Sequence, residues 1–386
     1  MFTHVINTII KFAFIIMNLN FDNYIDFYEN DIKGRYITNS KILSLLNKYN
    51  PKVEGYSVQN NPIYSLSIGR GPIKILIWSQ MHGNESTSTK AIFDCLSYLH
   101  KIDSTLLTLL KLKIIPILNP DGANAYSRLN HNNIDLNRDS LNLTQPESIL
   151  LRELYNDFKP DFCFNMHDQR TIYSLENNKS SIISFLAPSA DLEKTETEAR
   201  IKSMSVISYV YTKMNNIIPG NIGRYNDDFN INCVGDSFQS FNTPTILFES
   251  GHILQDYQRE ISRKFVCFSL IYALEFISQN NFSFYKEYYN IPENKTQLCD
   301  IKISNIKQKE LNEYKITDLS IMYFESFNSS KEIIEFIPEI KEYGNLINMS
   351  GHLELDFSSV NKTFDFNNSN IIREIMCHVN KLRNIH

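Results

Sequence analysis

Apolar runs of strand length alternate with segments of helical periodicity between residues 74 and 278. The run KILIWS, residues 74–79, is nearly all apolar and β-rich, which is typical of a strand covered on both faces. The segment 86–99 has apolar side chains at helical spacing behind a Ser- and Thr-rich start, and it predicts a helix. This alternation favours a protein in which helices cover a central sheet.

The same alternation continues along the chain. It predicts further strands over residues 112–118, 161–167, 182–188 and 243–249, and further helices over residues 147–158, 192–214 and 255–278. Before residue 74, a helix (ILSLLNKY) and a strand (PIYSLSIG) lead into this core. We therefore expect an α/β fold, a three-layer α/β/α sandwich whose mixed central sheet is mostly parallel.

The character of the chain changes beyond about residue 280. Short, mixed segments rich in Asn and Ser follow, with alternating stretches such as HLELDF, and no glycine occurs between Gly251 and Gly344. We predict one main domain over residues 20–280 and a small C-terminal α+β extension over residues 281–386, whose role the sequence does not indicate.

The N-terminal residues 1–19 form an apolar extension. They carry Lys11 in the middle, without a basic n-region or a small-residue cleavage site, and the run is shorter than a spanning helix needs. A misassigned start, with Met17 as the initiator, explains the extension about as well as a degenerate signal or a short helix. We expect a cytoplasmic protein without stable membrane insertion, whereas a degenerate signal would make it periplasmic or secreted.

Composition narrows the function. The 386 residues are 42% hydrophobic and 21% charged, as in a globular chain, and the net charge of -5 with interspersed signs offers no footprint for nucleic acid. The six cysteines show no CxxC pairing and lie mostly in apolar runs. We expect buried free thiols rather than a disulfide framework or a zinc–thiolate site.

The first candidate for chemistry follows the strand at residues 74–79. In the segment MHGNE, His82 and Glu85 are three residues apart, and Gly83 permits a tight turn between them. An imidazole and a carboxylate at this spacing can face one metal ion, although HxxE alone also fits a surface turn. Open α/β sheets place their ligand sites after such strands.

A second candidate is the long loop NPDGANAYSRLNHNNIDLNRD, residues 119–139, which follows the strand at 112–118. Loops of this length are more often functional than structural. Arg128 and Arg138 offer planar forks suited to a carboxylate or a developing oxyanion, although a lone arginine is as readily a solvated charge or part of a structural ion pair.

Two further strands each end in an ionisable residue. His167 ends the run DFCFNMH, and Glu249 ends TPTILFE. Because the ends of parallel strands meet at one edge of a sheet, two histidines and two glutamates are expected to converge there. A buried structural histidine or a capping carboxylate explains each one singly, but not all of them together.

The order of these motifs resembles that of the zinc carboxypeptidases of the pancreatic carboxypeptidase A and B kind, including their short bacterial members. The resemblance covers about residues 50–280. It rests on the segments MHGNE, NPDG, SRLNHNNIDLNRD, FNMHD and ILFESGH, which occur in this order. As a set, these motifs are specific to the family.

The resemblance implies roles for the residues. One zinc ion per chain would be bound by His82, Glu85 and His167, with Glu249 as general base and acid and Arg128 stabilising the tetrahedral oxyanion. Two imidazoles and one carboxylate leave zinc an open position for water, as in catalytic zinc sites.

The resemblance also implies a set of substrate contacts. Asn137 and Arg138 would hold the C-terminal carboxylate of the substrate, and Asp135 would orient the first zinc-binding histidine. Tyr225 is the candidate for the tyrosine that closes over the substrate, with Asp227 or Asp228 as competitors for that place.

Two further residues near these motifs, Asp236 and His252, have either a substrate-binding or a structural role. Asp236 favours amine-bearing substrates if it lies in the side-chain pocket, but a helix N-cap in GDSF is the simpler interpretation. His252 lies three residues after Glu249 and either contacts substrate or supports the site from outside it.

The main hypothesis is a zinc-dependent metallocarboxypeptidase that acts on peptides with a free carboxylate. An N-acyl amino acid deacylase, like aspartoacylase or succinylglutamate desuccinylase, also contains HGNE and DLNR, but NPDG and ESGH favour the carboxypeptidase. A murein-peptide amidase would be a narrower case within the same family. A peptide-binding module without catalysis would require a lost ligand or base, and none is missing.

Overall fold

The computed structural model describes residues 21–311 and 313–383. The apolar extension predicted over residues 1–19 lies outside these ranges. Within them, no helix is both long and apolar enough to cross a membrane.

The central feature is an eight-stranded sheet in the order β1-β2-β4-β3-β5-β8-β6-β7. The four middle strands, β4, β3, β5 and β8, are parallel, and antiparallel pairs occur towards the edges. The strands are β1 (Lys52–Tyr56), β2 (Pro62–Ile68), β3 (Ile73–Trp78), β4 (Leu110–Ile115), β5 (Phe162–Asp168), β6 (Ile183–Leu186), β7 (Ile222–Arg224) and β8 (Thr245–Ser250). The predicted α/β class with a mixed, mostly parallel sheet is confirmed.

Helices cover both faces of this sheet. They are α1 (Asn39–Lys48), α2 (Thr87–Lys101), α3 (Leu106–Leu109), α4 (Pro120–Ala125), α5 (Pro146–Phe158), α6 (Glu198–Asn215), α7 (Val234–Ser240) and α8 (Glu260–Gln279), followed in the C-terminal part by α9 (Ile371–Arg383).

Alternation along β3 shows how the layers are built. Ile75 and Ile77 face a core shared with α2, α6 and α8, whereas Leu76 and Trp78 face a second core shared with α5 and α7. Because both faces of the strand are covered, its sequence is almost continuously apolar.

Two helices begin later than their apolar patterns predict. α8 begins at Glu260 rather than near residue 255. Its N-cap is Arg259, in the left-handed conformation, and the carboxylate of Asp256 accepts hydrogen bonds from the N–H groups of Ile261 and Ser262 in the first turn. α6 begins at Glu198 rather than near residue 192, where Thr197 is the N-cap. β1 was not predicted, because its sequence KVEGY has little apolar pattern.

The C-terminal part forms a separate four-stranded sheet in the order β11-β10-β9-β12. Its strands are β9 (Leu298–Glu310), β10 (Glu313–Asn328), β11 (Ile333–Gly344) and β12 (Ser350–Asp356). Apolar residues of β9 and β10 form a third core with Ile375 and Val379 of α9. The predicted α+β character is confirmed, but the strands are long rather than short. The boundary at residue 280 stays a prediction.

All six cysteines are free, as expected from their spacing. Cys95, Cys163, Cys267 and Cys299 are buried. The expectation of burial is wrong for Cys377, which is exposed on α9.

Candidate active site

The three predicted metal ligands meet at the carboxyl edge of the central sheet. His82 and Glu85 lie in the turn between β3 and α2, and His167 is near the end of β5, which pairs with β3 in parallel. All three side chains are buried, and one donor atom from each lies within 4.8 Å of the others. Because neighbouring parallel strands end at the same edge, the two histidines approach although 85 positions separate them.

The hydrogen bonds around His82 leave a site that fits a cation. Its Nε2 lies 3.0 Å from Oδ1 of Asp135, so in the neutral ring Nδ1 carries the lone pair. That Nδ1 lies 2.9 Å from a carboxylate oxygen of Glu85 and 3.2 Å from Nδ1 of His167. Acceptor atoms this close repel one another unless a proton or a cation lies among them. Two imidazoles and one carboxylate are a donor set of catalytic zinc.

Asp135 links this group to Arg128. Its Oδ2 accepts hydrogen bonds from Nε and Nη2 of Arg128 at 3.1 and 3.0 Å. Nη1 of the same arginine lies 3.4 Å from Oε1 of Glu85. The guanidinium is therefore held beside the candidate metal site, while the side chain lines the cavity and is 42% exposed.

Glu249 lies directly across from His167, because the two residues are register partners on β5 and β8. Its side chain lines the same cavity as the three candidate ligands. Burial, followed by the negative charges of Glu85 and Asp168, raises the pKa of the Glu249 carboxyl well above its ordinary value. A cation held by the three ligands would oppose this shift, because it adds positive charge next to the carboxyl.

The cavity in front of these groups has a volume of about 430 Å³. Asn137 and Arg138 line it from the 3-10 turn Leu136–Arg138. The amide oxygen of Asn137 accepts a hydrogen bond from the N–H of Val234 at 3.0 Å, which fixes this end of the cavity to α7. Arg138 is exposed, and Nη1 of its guanidinium donates to the carbonyl oxygen of Asn137 at 2.8 Å, which leaves its other N–H groups for an anionic ligand.

Tyr225 also lines the cavity, directly after β7. Its ring packs edge-on against Tyr173 with 5.3 Å between centroids. Burial, and next the charge of Glu249, raises the pKa of the Tyr225 hydroxyl well above its ordinary value, so the group stays protonated. Of the competitors for this place, Asp227 pairs with Arg200, whereas Asp228 is at the cavity but pairs with Lys194.

The N-cap interpretation of Asp236 is wrong. The N-cap of α7 is Cys233, and Asp236 lies within the first turn, where its carboxylate accepts a hydrogen bond from the N–H of Asn230. The side chain lines the cavity, and burial raises its pKa to about 7. His252, by contrast, lies outside this cavity and packs its Nε2 against Arg259.

Sequence reasoning missed Asp168 and Arg170, which also line the cavity. The backbone N–H of Asp168 donates to Oε2 of Glu85 at 3.1 Å, and its buried carboxylate accepts from Arg35 at 2.8 Å and from the N–H of Thr87 at 3.0 Å. Position alone could have suggested Asp168, since it directly follows His167, but its buried partner Arg35 is 133 positions away.

Comparisons with known proteins identify a family match over part of the chain. Residues 45–205 match the family model of the zinc carboxypeptidases. A stretch of 100 residues is 31% identical to Carboxypeptidase 2 of Trichophyton rubrum, and this match covers 25% of the present chain and 19% of that protein.

Solved structures share the fold at low sequence identity. A metallo-carboxypeptidase from Burkholderia cenocepacia superposes with a TM-score of 0.51 at 13% identity, over 64% of this chain and 70% of that one. Bovine thrombin-activatable fibrinolysis inhibitor, solved in complex with tick carboxypeptidase inhibitor, superposes with a TM-score of 0.50 at 15% identity, over 64% and 98% of the two chains. The family match and this fold together confirm the resemblance to the zinc carboxypeptidases that the sequence motifs predict.

Proposed function

We propose that this protein is a zinc-dependent metallocarboxypeptidase, which hydrolyses the C-terminal peptide bond of its substrates. The observation that carries the proposal is the buried group His82, Glu85 and His167 facing Glu249 across one cavity. A metal-binding group alone would be compatible with a structural site, but a carboxylate poised beside it supports hydrolysis.

The residues of the cavity have separate roles in the reaction. Zinc, when bound, supplies a Lewis acid that polarises the scissile carbonyl and lowers the pKa of water towards about 7. Glu249 takes a proton from the attacking water and delivers it to the amine that leaves when the C–N bond breaks. Arg128 donates hydrogen bonds to the oxygen on which negative charge develops.

The C-terminus of the substrate is recognised at the end of the cavity that Asn137 and Arg138 line. Arg138 and Asn137 bind the free carboxylate of the substrate, which makes the enzyme an exopeptidase. Tyr225 closes over the bound residue. Asp236 lines the same cavity and supports a preference for leaving residues with an amine-bearing side chain, including those of murein peptides.

A substrate panel tests the proposal. Purified, zinc-loaded protein is assayed on blocked dipeptides with a free or amidated C-terminus, on N-acyl amino acids and on murein tripeptide. We expect cleavage of free-carboxylate peptides, little cleavage of the amidated ones, and about one zinc per chain by metal analysis. Cleavage of N-acyl amino acids alone would assign the protein to the deacylases instead.

The variant Glu249→Gln tests the mechanism on the same panel. Because Gln cannot accept the proton, we expect turnover to fall by about 10² to 10⁴ while the metal content stays unchanged. Glu153→Gln, an exposed carboxylate on α5, is the matched control and should keep full activity. Normal turnover of Glu249→Gln would remove this residue from the mechanism.

A further inference from the structure

A second cavity, of about 210 Å³, lies between the catalytic part and the C-terminal sheet. Its walls include Tyr257 from the loop before α8, Met322 and Phe324 from β10, and Phe336 from β11. Since a water molecule takes about 30 Å³ of liquid volume, the space suits one large amino-acid side chain. Apart from Arg170, its walls come from outside residues 45–205, the segment that matches the family.

Arg170 lines both this second cavity and the cavity of the candidate active site. Its Nη1 lies 3.4 Å from the carbonyl oxygen of Asn84, the neighbour of the candidate ligand Glu85. On its other side, the same nitrogen donates to Oε2 of Glu325 on β10 at 2.8 Å. The two cavities therefore meet at one side chain next to the metal ligands.

The position of Arg170 relative to the ligands indicates which part of a peptide would reach the second cavity. Asn137, near the expected carboxylate site, is two residues from Asp135, which contacts His82. Arg170 contacts the residue beside Glu85 instead. The contacts thus run in the order Asp135, His82, Glu85, and then Asn84 with Arg170. A peptide held by its C-terminus, with its scissile bond at the candidate ligands, has its upstream residues on the side of the ligands away from the carboxylate site.

The charged groups of the second cavity already have partners within the protein. The carboxylate of Asp300 accepts hydrogen bonds from the hydroxyl of Tyr257 at 2.8 Å and from the N–H of Tyr323 at 2.7 Å. Glu325 is paired with Arg170. The rest of the wall consists of aromatic rings and a methionine, and the Tyr257 and Phe336 rings lie 5.2 Å apart. Such walls select an apolar or aromatic group.

We propose that the second cavity is a specificity pocket that binds a large apolar or aromatic side chain of the substrate, upstream of the residue that carries the scissile carbonyl. The C-terminal sheet thereby completes the substrate cleft. The inference rests on the proposed carboxypeptidase function, since it requires a peptide anchored by its C-terminus.

A positional series of peptides tests this pocket with the full chain. Blocked pentapeptides end in the C-terminal residue that the substrate panel finds best, with alanine elsewhere and one phenylalanine placed at each upstream position in turn. We expect phenylalanine to raise kcat/KM about tenfold over the all-alanine peptide at a single position, which lies upstream of the residue that carries the scissile carbonyl. Phe324→Ala and Phe336→Ala should reduce this preference to about twofold or less and leave hydrolysis of the all-alanine peptide unchanged.

Phe284→Ala removes an exposed aromatic side chain outside both cavities and is the matched control, which should keep the preference. Cleavage of every peptide at the same rate, or a preference that survives both cavity variants, would overturn the pocket while leaving the carboxypeptidase function intact. Failure of the unmutated protein to cleave any peptide of either set would instead overturn the proposed function.

Discussion

Glu325, on the C-terminal sheet, forms an ion pair with Arg170 at the edge of the candidate active site, with 2.8 Å between Oε2 and Nη1. The other carboxylate oxygen lies 3.5 Å from Nε of the buried Arg35. Arg35 in turn pairs with Asp168, whose backbone N–H donates to the candidate metal ligand Glu85. Contacts thus run without a break from the C-terminal sheet to the metal-binding group.

The first prediction concerns stability. Only 8% of the Glu325 side chain is exposed, so Glu325→Ala leaves Arg35 buried without one of its counter-charges. We expect the free energy of unfolding to fall by about 3 kcal/mol. Urea denaturation measures it. The control is Glu332→Ala on the same hairpin, whose side chain is 66% exposed and 3.8 Å from Lys41. It should change the stability by about 0.5 kcal/mol or less, and equal effects of the two variants would contradict the ion-pair argument.

The second prediction concerns pH. Burial opposes ionisation of Glu325, but the charges of Arg35 and Arg170 outweigh it and lower the pKa to about 2. The pKa of a glutamate in the unfolded chain is about 4.3, so ionised Glu325 stabilises the folded state fully above that pH. Its contribution should disappear as the pH falls from about 4.5 to 2. The stability difference between the unmutated protein and Glu325→Gln should shrink over that window, and a constant difference would contradict the assignment.

The third prediction distinguishes the kinetic roles of Arg128 and Arg138. Because Arg128 would meet charge that develops only in the transition state, Arg128→Ala should lower kcat by about 10² to 10³. Arg138 would bind a carboxylate present throughout the reaction, so Arg138→Ala should chiefly raise KM. Steady-state kinetics on a free-carboxylate peptide distinguishes these patterns. The same loss of kcat in both variants would show that the roles are not divided in this way.

The fourth prediction concerns metal affinity. Asp135→Asn weakens the acceptor that orients His82, so zinc affinity should fall by about 10- to 100-fold. Competition with a fluorescent chelator measures the dissociation constant. Asp157→Asn, at an exposed position on α5, is the control and should bind zinc like the unmutated protein. An unchanged affinity in Asp135→Asn would mean that the hydrogen bond does not support the ligand.

Much of the site could be predicted from the chain, because its chemistry is attached to regular elements. His167 and Glu249 each end an apolar strand, and such strands pair in parallel and present their ends at one edge. The spacing of His82 and Glu85 lies within one turn, which a local pattern is able to specify. The predicted helix starts are less accurate, since a single capping residue such as Thr197 at the start of α6 overrides the apolar pattern.

The sequence by itself determined the α/β layers, because strands and helices depend on local periodicity, and it indicated the candidate metal ligands and Glu249 through short motifs that occur in a recognisable order. Only the tertiary structure decided that Glu325 reaches Arg35, 290 positions earlier in the chain, and that Arg170 connects two cavities. Such contacts join segments that are far apart in the sequence, so no periodic pattern of residues predicts them. Their partners are chosen by burial, because a buried charge needs a nearby counter-charge wherever in the chain that charge lies.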